Sequence, residues 1–170
     1  MPYLFVPTDF KAPYQVKTPE FVLRKLTVEE VRKDYEAVMS SKESLRQIFQ
    51  VNDEWPSDNM TLEENYRDLQ EHQDEFDKNE GFAYTIVTPD DSKCIGCLYI
   101  YPFPYGVYDS RVYYWFIDEV AATMSSPFHK FLTTWIPDVF NLTDIVYPGR
   151  TIPHADFKAL VETLKSKKQK

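Results

Sequence analysis

The stretch that decides the fold runs from Arg111 to Phe140. It reads Arg111-Val-Tyr-Tyr-Trp-Phe-Ile-Asp118, then Glu119-Val-Ala-Ala-Thr-Met-Ser-Ser126, then Pro127-Phe-His-Lys-Phe-Leu-Thr-Thr-Trp-Ile-Pro-Asp-Val-Phe140. The first block is dense in aromatic and β-branched residues, which predicts a buried strand. In the last block Phe128, Phe131, Leu132, Trp135, Ile136, Val139 and Phe140 recur at helical spacing, the stripe of an amphipathic helix. Between them the small residues predict a loop. Ser125 or Ser126 is the expected N-cap, and Pro127 suits the first helical position. A strand, a small-residue loop and a helix N-terminus make a candidate anion site, because free amides and the helix dipole converge there.

Working outward, Phe82 to Thr88 and Lys93 to Phe103 read as two further strands. Pro89-Asp-Asp-Ser92 and Pro104-Tyr-Gly106 supply the turns, so the three strands should form an antiparallel meander. Residues 1–20 hold four prolines and predict an extended N-terminal arm laid over the domain. Phe21 to Leu26 reads as a first strand. Thr27-Val-Glu-Glu30 and Thr61-Leu-Glu-Glu64 are two capping boxes that should each open a helix. The second helix is expected to reach about Lys78, burying Leu62, Tyr66, Leu69 and Phe76, with Gly81 after it. A short helix is expected near Ser44 to Gln50, and a short strand at Thr143 to Tyr147, ended by Pro148-Gly-Arg150. A final helix carries Phe157, Leu160, Val161 and Leu164, before a basic tail from Lys165 to Lys170. The order predicts one α+β domain, spanning 21–164, between the arm and the tail at 165–170.

The chain carries a net charge of -8, which argues against a nucleic-acid binder, since phosphate contacts need a basic face. Acidic residues concentrate between Asp53 and Glu80. That run is expected to be a solvated helix face, with attraction of a cationic partner as the alternative. No apolar run is long enough for a membrane span, and the N-terminus lacks a signal-peptide pattern. A cytoplasmic protein without nucleic-acid or membrane partners is the expectation.

Cys94-Ile-Gly-Cys97 has the spacing of a redox or zinc motif, but no further ligands cluster beside it. Strand alternation should place the two thiols on opposite faces, so core packing is expected and no metal site. Gly96 should mark a bulge or a close backbone approach. His72 lies on the acidic helix and His129 beside the apolar stripe, where it could line a site near the helix start. No glycine-rich nucleotide loop is present. Asp118-Glu119 ends the third strand, where a carboxylate can act as general base or simply cap the turn.

Taken together, Trp55-Pro56, Thr61 to Glu64, Phe82-Ala-Tyr84, Gly96 to Ile100, Tyr114 to Ile117 and Tyr147-Pro-Gly-Arg150 resemble the GNAT-type N-acetyltransferases, over most of the chain from Phe21 to about Tyr147. The resemblance implies a mixed, mainly antiparallel sheet flanked by helices. It implies acetyl-CoA as cosubstrate and a primary amine, of a small molecule or a protein N-terminus, as acceptor; a homodimer stays open. In that superfamily the strand matching Tyr113 to Asp118 splays from its neighbour and pairs with pantetheine, while the next loop binds the pyrophosphate. The implied cofactor contacts are Phe116, Ile117, Thr123, Ser125 and Ser126, with Glu119 as the base. The family loop reads Gln/Arg-x-x-Gly-x-Gly/Ala, whereas Val120, Thr123 and Ser125 stand at those positions here. Thr123 is β-branched where close backbone approach is wanted. The departure implies an alternative: a GNAT-like domain that senses a ligand or docks a protein without catalysis.

Overall fold

The computed structural model describes residues 4–168. Its strands are β1 (Gln15–Lys17), β2 (Val22–Lys25), β3 (Phe82–Val87), β4 (Cys94–Pro102), β5 (Ser110–Phe116) and β6 (Ile145–Val146). Its helices are α1 (Val31–Ser40), α2 (Lys42–Leu45), α3 (Leu62–Asp77), α4 (Asp118–Phe140) and α5 (His154–Lys168). The strands lie in one sheet in chain order. Neighbours from β1 to β5 are antiparallel, joined by short connections except for β2 and β3, between which α1, α2 and α3 intervene; β6 returns through α4 and is parallel to β5. Among the described residues no helix is long and apolar enough to cross a membrane.

Side chains of paired residues share a face of the sheet. Tyr84, Leu98 and Tyr114 are in register on one face. The apolar stripe of α4 covers it, with Phe128 against Tyr114 and Phe116, and Trp135 against Tyr84, at ring separations of 5.1–5.6 Å. Thr85, Cys97 and Trp115 define the other face, which meets α1 and α3. The N-terminal arm crosses the α4 side. Phe10 packs on Phe82 and Phe140, and Asn79 and Tyr84 donate to the carbonyls of Phe10 and Pro13. Part of the arm is itself ordered as the edge strand β1, and α5 runs on through residues 165–168 of the expected tail.

The two capping boxes part ways. Thr61 accepts from the Glu64 amide at 3.1 Å and starts α3 as expected. Thr27 makes no side-chain cap bond, because the Glu30 amide donates to the Thr27 carbonyl at 3.0 Å, while Gln73 of α3 accepts from the Val28 amide at 3.1 Å. Glu30 is drawn instead to Arg24, 2.7 Å away, so a 3-10 turn precedes α1. On α3, Asn65 is buried and Tyr66 is 42 % exposed, the reverse of the apolar reading.

Asn65 is buried because it donates to Asp34 of α1 at 2.9 Å, while Cys97 of β4 donates to the other Asp34 oxygen at 3.2 Å. This knot ties α1, α3 and the sheet together. Burial raises the Asp34 pKa, and the two hydrogen bonds oppose the shift only in part. Cys94 joins the same cluster, within 4.8 Å, which corrects the alternation argument. The register slips between Ile86 and Val87, so that Cys94 pairs with Val87 and Gly96 with Ile86. Ile95 is the extra residue of a bulge, and both thiols, free and buried, turn to one face.

Gly96 stands beside the bulge as foreseen. A Cβ there would lie 2.1 Å from the Trp115 carbonyl oxygen. Gly96→Ala should therefore force the two central strands apart and destabilise the protein by about 2 kcal/mol or more, the scale of overpacked cores. Urea unfolding measures this, and an unchanged midpoint would show that the strands yield freely.

Candidate active site

The free edge of β5 organises the site. Strand β6 pairs with Ser110 and Arg111 and then ends. Beyond them β5 continues for five residues with no strand outside it. The Ile117 amide donates to Ile95 at 2.9 Å, so by antiparallel alternation the backbone groups of Trp115 and Tyr113 also face β4. Those of Tyr114 and Phe116 face the gap, whereas Val112, flanking the Arg111–Val146 pair, turns its amide to β6. Ile117 cannot supply cofactor contacts from its backbone, since its carbonyl accepts from Val120 and Ala121 in the first turn of α4. Phe116 keeps its edge groups directed outward.

One side chain reaches into the gap. After β6 the chain turns at Gly149, whose φ of 81° suits a residue without Cβ. Arg150 then returns to β5. Its Nη2 donates to the Tyr114 carbonyl at 2.8 Å, and its guanidinium lies 3.7 Å from the centre of the Tyr114 ring.

Two clefts flank this stretch, one on each face. On the α4 face, a cleft of about 580 Å³ is lined by Tyr114, Ser125, Ser126, His129, Lys130 and Arg150, with Thr133 and Thr151. It is bordered by cations and hydroxyls and by no carboxylate. His129 Nδ1 lies 3.1 Å from the Tyr114 hydroxyl and the ring packs on Tyr147. Burial, and then the neighbouring Arg150, lower the His129 pKa and favour the neutral imidazole. On the opposite face, a cleft of about 550 Å³ lies between β5, the segment after α2 and α5. A third cavity, about 210 Å³, sits beneath α1 and α3 beside Asp34, Asp68, His72 and Tyr99; no β5 residue lines it.

The helix after β5 corrects the sequence reading. No loop separates strand from helix: Ile117 is the N-cap and α4 begins at Asp118. Pro127 and Pro137 lie inside the helix, leaving the Thr123 and Thr133 carbonyls without helical donors. The amide that should greet an anion is already used, because Asp118 N donates to Ser41 Oγ at 2.8 Å. The first turn also carries two carboxylates. Asp118 accepts from Ser44, and Glu119 is paired with Lys93 at 2.8 Å. A pyrophosphate there would meet like charge. Thr123 and Ser125 bond back to the helix, to Val120 and Ala121. Thr123 lines neither cleft; Ser125 and Ser126, a turn further on, do line the α4-side cleft. Glu119 is exposed, lines neither cleft, and Lys93 holds its carboxyl below the usual range, the wrong direction for a base.

Lys130, Arg150, Tyr114 and Arg111 were not among the residues expected from sequence. Arg150 lay within the quoted Tyr147-Pro-Gly-Arg150 signature, read there only as a strand end.

No family model matches the chain, and no curated protein matches its sequence. Solved structures do match. The ribosomal-protein-S5-alanine acetyltransferase of Vibrio fischeri superposes with a TM-score of 0.64 at 15% identity, over 88% of this chain and 82% of that one. The chain has the GNAT acetyltransferase fold. The acetyl transferase of Salmonella typhimurium that modifies the N-terminal serine of ribosomal protein L7/L12 gives 0.61 at 16%, covering 76% and 71%. The microcin C7 self-immunity acetyltransferase MccE, in complex with acetyl-CoA and AMP, gives 0.59 at 11%, covering 75% and 67%. Beside β5, beyond the end of β6, lies the gap that Arg150 enters.

Two outcomes follow. Ser41→Ala removes the cap of α4 and should destabilise by about 1 kcal/mol in urea unfolding. His129 should titrate below 6.5 in an NMR pH series. Its folded pKa is depressed, so the neutral form's contribution to stability is present above the unfolded value and is lost as pH falls through the folded one. A normal or raised value would remove the burial argument.

Proposed function

We propose that this protein transfers an acetyl group from acetyl-CoA to a primary amine. The single observation that carries the reading is the unpaired edge of β5 beside a cleft bordered by cations in a chain of net charge -8. In this reading the pantetheine arm lies along the gap and takes the place of the missing strand at Tyr114 and Phe116. The phosphates lie in the α4-side cleft against Lys130, Arg150 and the Ser126 hydroxyl, away from the acidic start of α4. Edge amides of β5 hold the thioester carbonyl and stabilise the oxyanion. The amine nitrogen attacks that carbonyl, the C–S bond breaks, and the amine proton passes through water to the departing thiolate, so that coenzyme A leaves as the thiol. Positioning supplies much of the rate in such a reaction.

A second reading rests on Arg150. Its hydrogen bond to Tyr114 occupies an edge carbonyl, which favours a domain that senses an anionic ligand without catalysis.

Calorimetry with coenzyme A and a thiol-release assay over a panel of amines separate the two. Binding with amine-dependent thiol release supports transfer. Binding with no release from any amine supports the sensor. No binding at millimolar concentration overturns both. Lys130→Glu and Ser126→Asp each put negative charge against a phosphate, and should weaken coenzyme A binding at least tenfold, about 1.4 kcal/mol. Thr123→Asp should leave it unchanged, because that side chain lines neither cleft.

A further inference from the structure

The cleft on the far face of β5 has a charge that the chain as a whole conceals. Arg111 and Tyr113 of β5 form its floor, Phe49 one wall and α5 the other. From α5 it receives Lys158 and Lys165, with Glu162 as its one carboxylate. Arg111 forms no ion pair among the described residues, and its Nε is buried without a hydrogen-bond partner. Leaving a charged donor unpaired costs about 1–3 kcal/mol or more, so such a group in a cleft of about 550 Å³ is fitted to something that enters. A guanidinium presents a planar fork of donors that matches a carboxylate. Lys158 makes no ion pair either, and Lys165 lies over the Tyr105 ring at 5.7 Å. The acidic segment 53–80 contributes none of this lining; it borders the cavities beneath α3 instead.

Position adds to charge. Alternation along β5 puts Arg111 and Tyr113 on the face opposite Tyr114 and Arg150. This cleft and the phosphate cleft therefore approach the same gap from the two sides of the sheet. Resting on the acetyl-transfer reading, we propose that this cleft binds the acceptor, and that the acceptor is an amine bearing carboxylates: an acidic amino acid or the start of an acidic peptide. Its carboxylates pair with Arg111 and Lys158, and its amino group faces the β5 gap.

The test measures acceptor binding without acetyl-CoA, by calorimetry. The probes are free aspartate, an Asp/Glu tetrapeptide with a free N-terminus, a neutral tetrapeptide and putrescine. The acidic peptide or aspartate should bind at least tenfold more tightly than the neutral peptide and putrescine; which of the two binds distinguishes a peptide from a free amino acid. Arg111→Gln and Lys158→Gln should each weaken that binding at least fivefold. Lys158 is exposed on α5, so its variant keeps the test open if Arg111→Gln fails to fold. Tighter binding of putrescine, or acidic-probe affinity untouched in either folded variant, overturns the proposal. Acidic-probe binding lost in the variants, with no acetylated product by mass spectrometry once acetyl-CoA is added, upholds the carboxylate site and defeats the transfer reading alone.

Discussion

Everything near the site depends on a backbone constraint: β5 is longer than the strand that follows it. A strand edge presents amides and carbonyls that need partners. Strand β6 serves the first two residues of β5 and then yields to Pro148 and Gly149. The remaining groups are left for water, for Arg150, or for a ligand that can imitate a strand. The guanidinium on Tyr114 is the protein's own partial answer. Because it is a side chain and not a strand, it satisfies one carbonyl and leaves the neighbouring groups of Phe116 facing the gap.

That edge holds its shape because the sheet behind it is rigid. The bulge at Ile95 turns Cys94 and Cys97 together onto the face where Asp34 waits. The resulting knot is polar, buried and hydrogen-bonded, and it crosses three elements. Burial makes the Asp34 carboxyl bind its proton more tightly, against the opposing pull of Asn65, Cys97 and the nearby His72. On the other face the contact is almost wholly aromatic, with α4 laid across Tyr84, Tyr114 and Phe116. One face is fixed by direction-dependent bonds, the other by area.

The charge distribution shows why a net value misleads. A chain of -8 still gathers Lys130 and Arg150 on one side of β5, and Arg111 and Lys158 on the other. Its carboxylates are densest on α3, away from both clefts. Screening limits each charge to roughly 8–10 Å at physiological salt, so the local set governs what binds.

The sequence alone determined the meander, the last helix and the apolar stripe of α4, because period and turn chemistry are local. It also marked Gly96 as a point of close approach and Thr61 as a cap. It could not place the start of α4: the stripe begins at Phe128, while the ten residues before it are mostly small or polar and are helical because Ser41, distant in sequence, caps Asp118. Nor could it foresee that Arg24 would draw Glu30 out of the capping box at Thr27, since that ion pair joins a strand to the turn after it. The meeting of Cys94 and Cys97 on one face followed from one extra residue in a strand register, and a register is set between strands rather than within one. Only the tertiary structure decided which cations meet at β5, because Arg111, Lys130, Arg150 and Lys158 come from a strand, two helices and a turn.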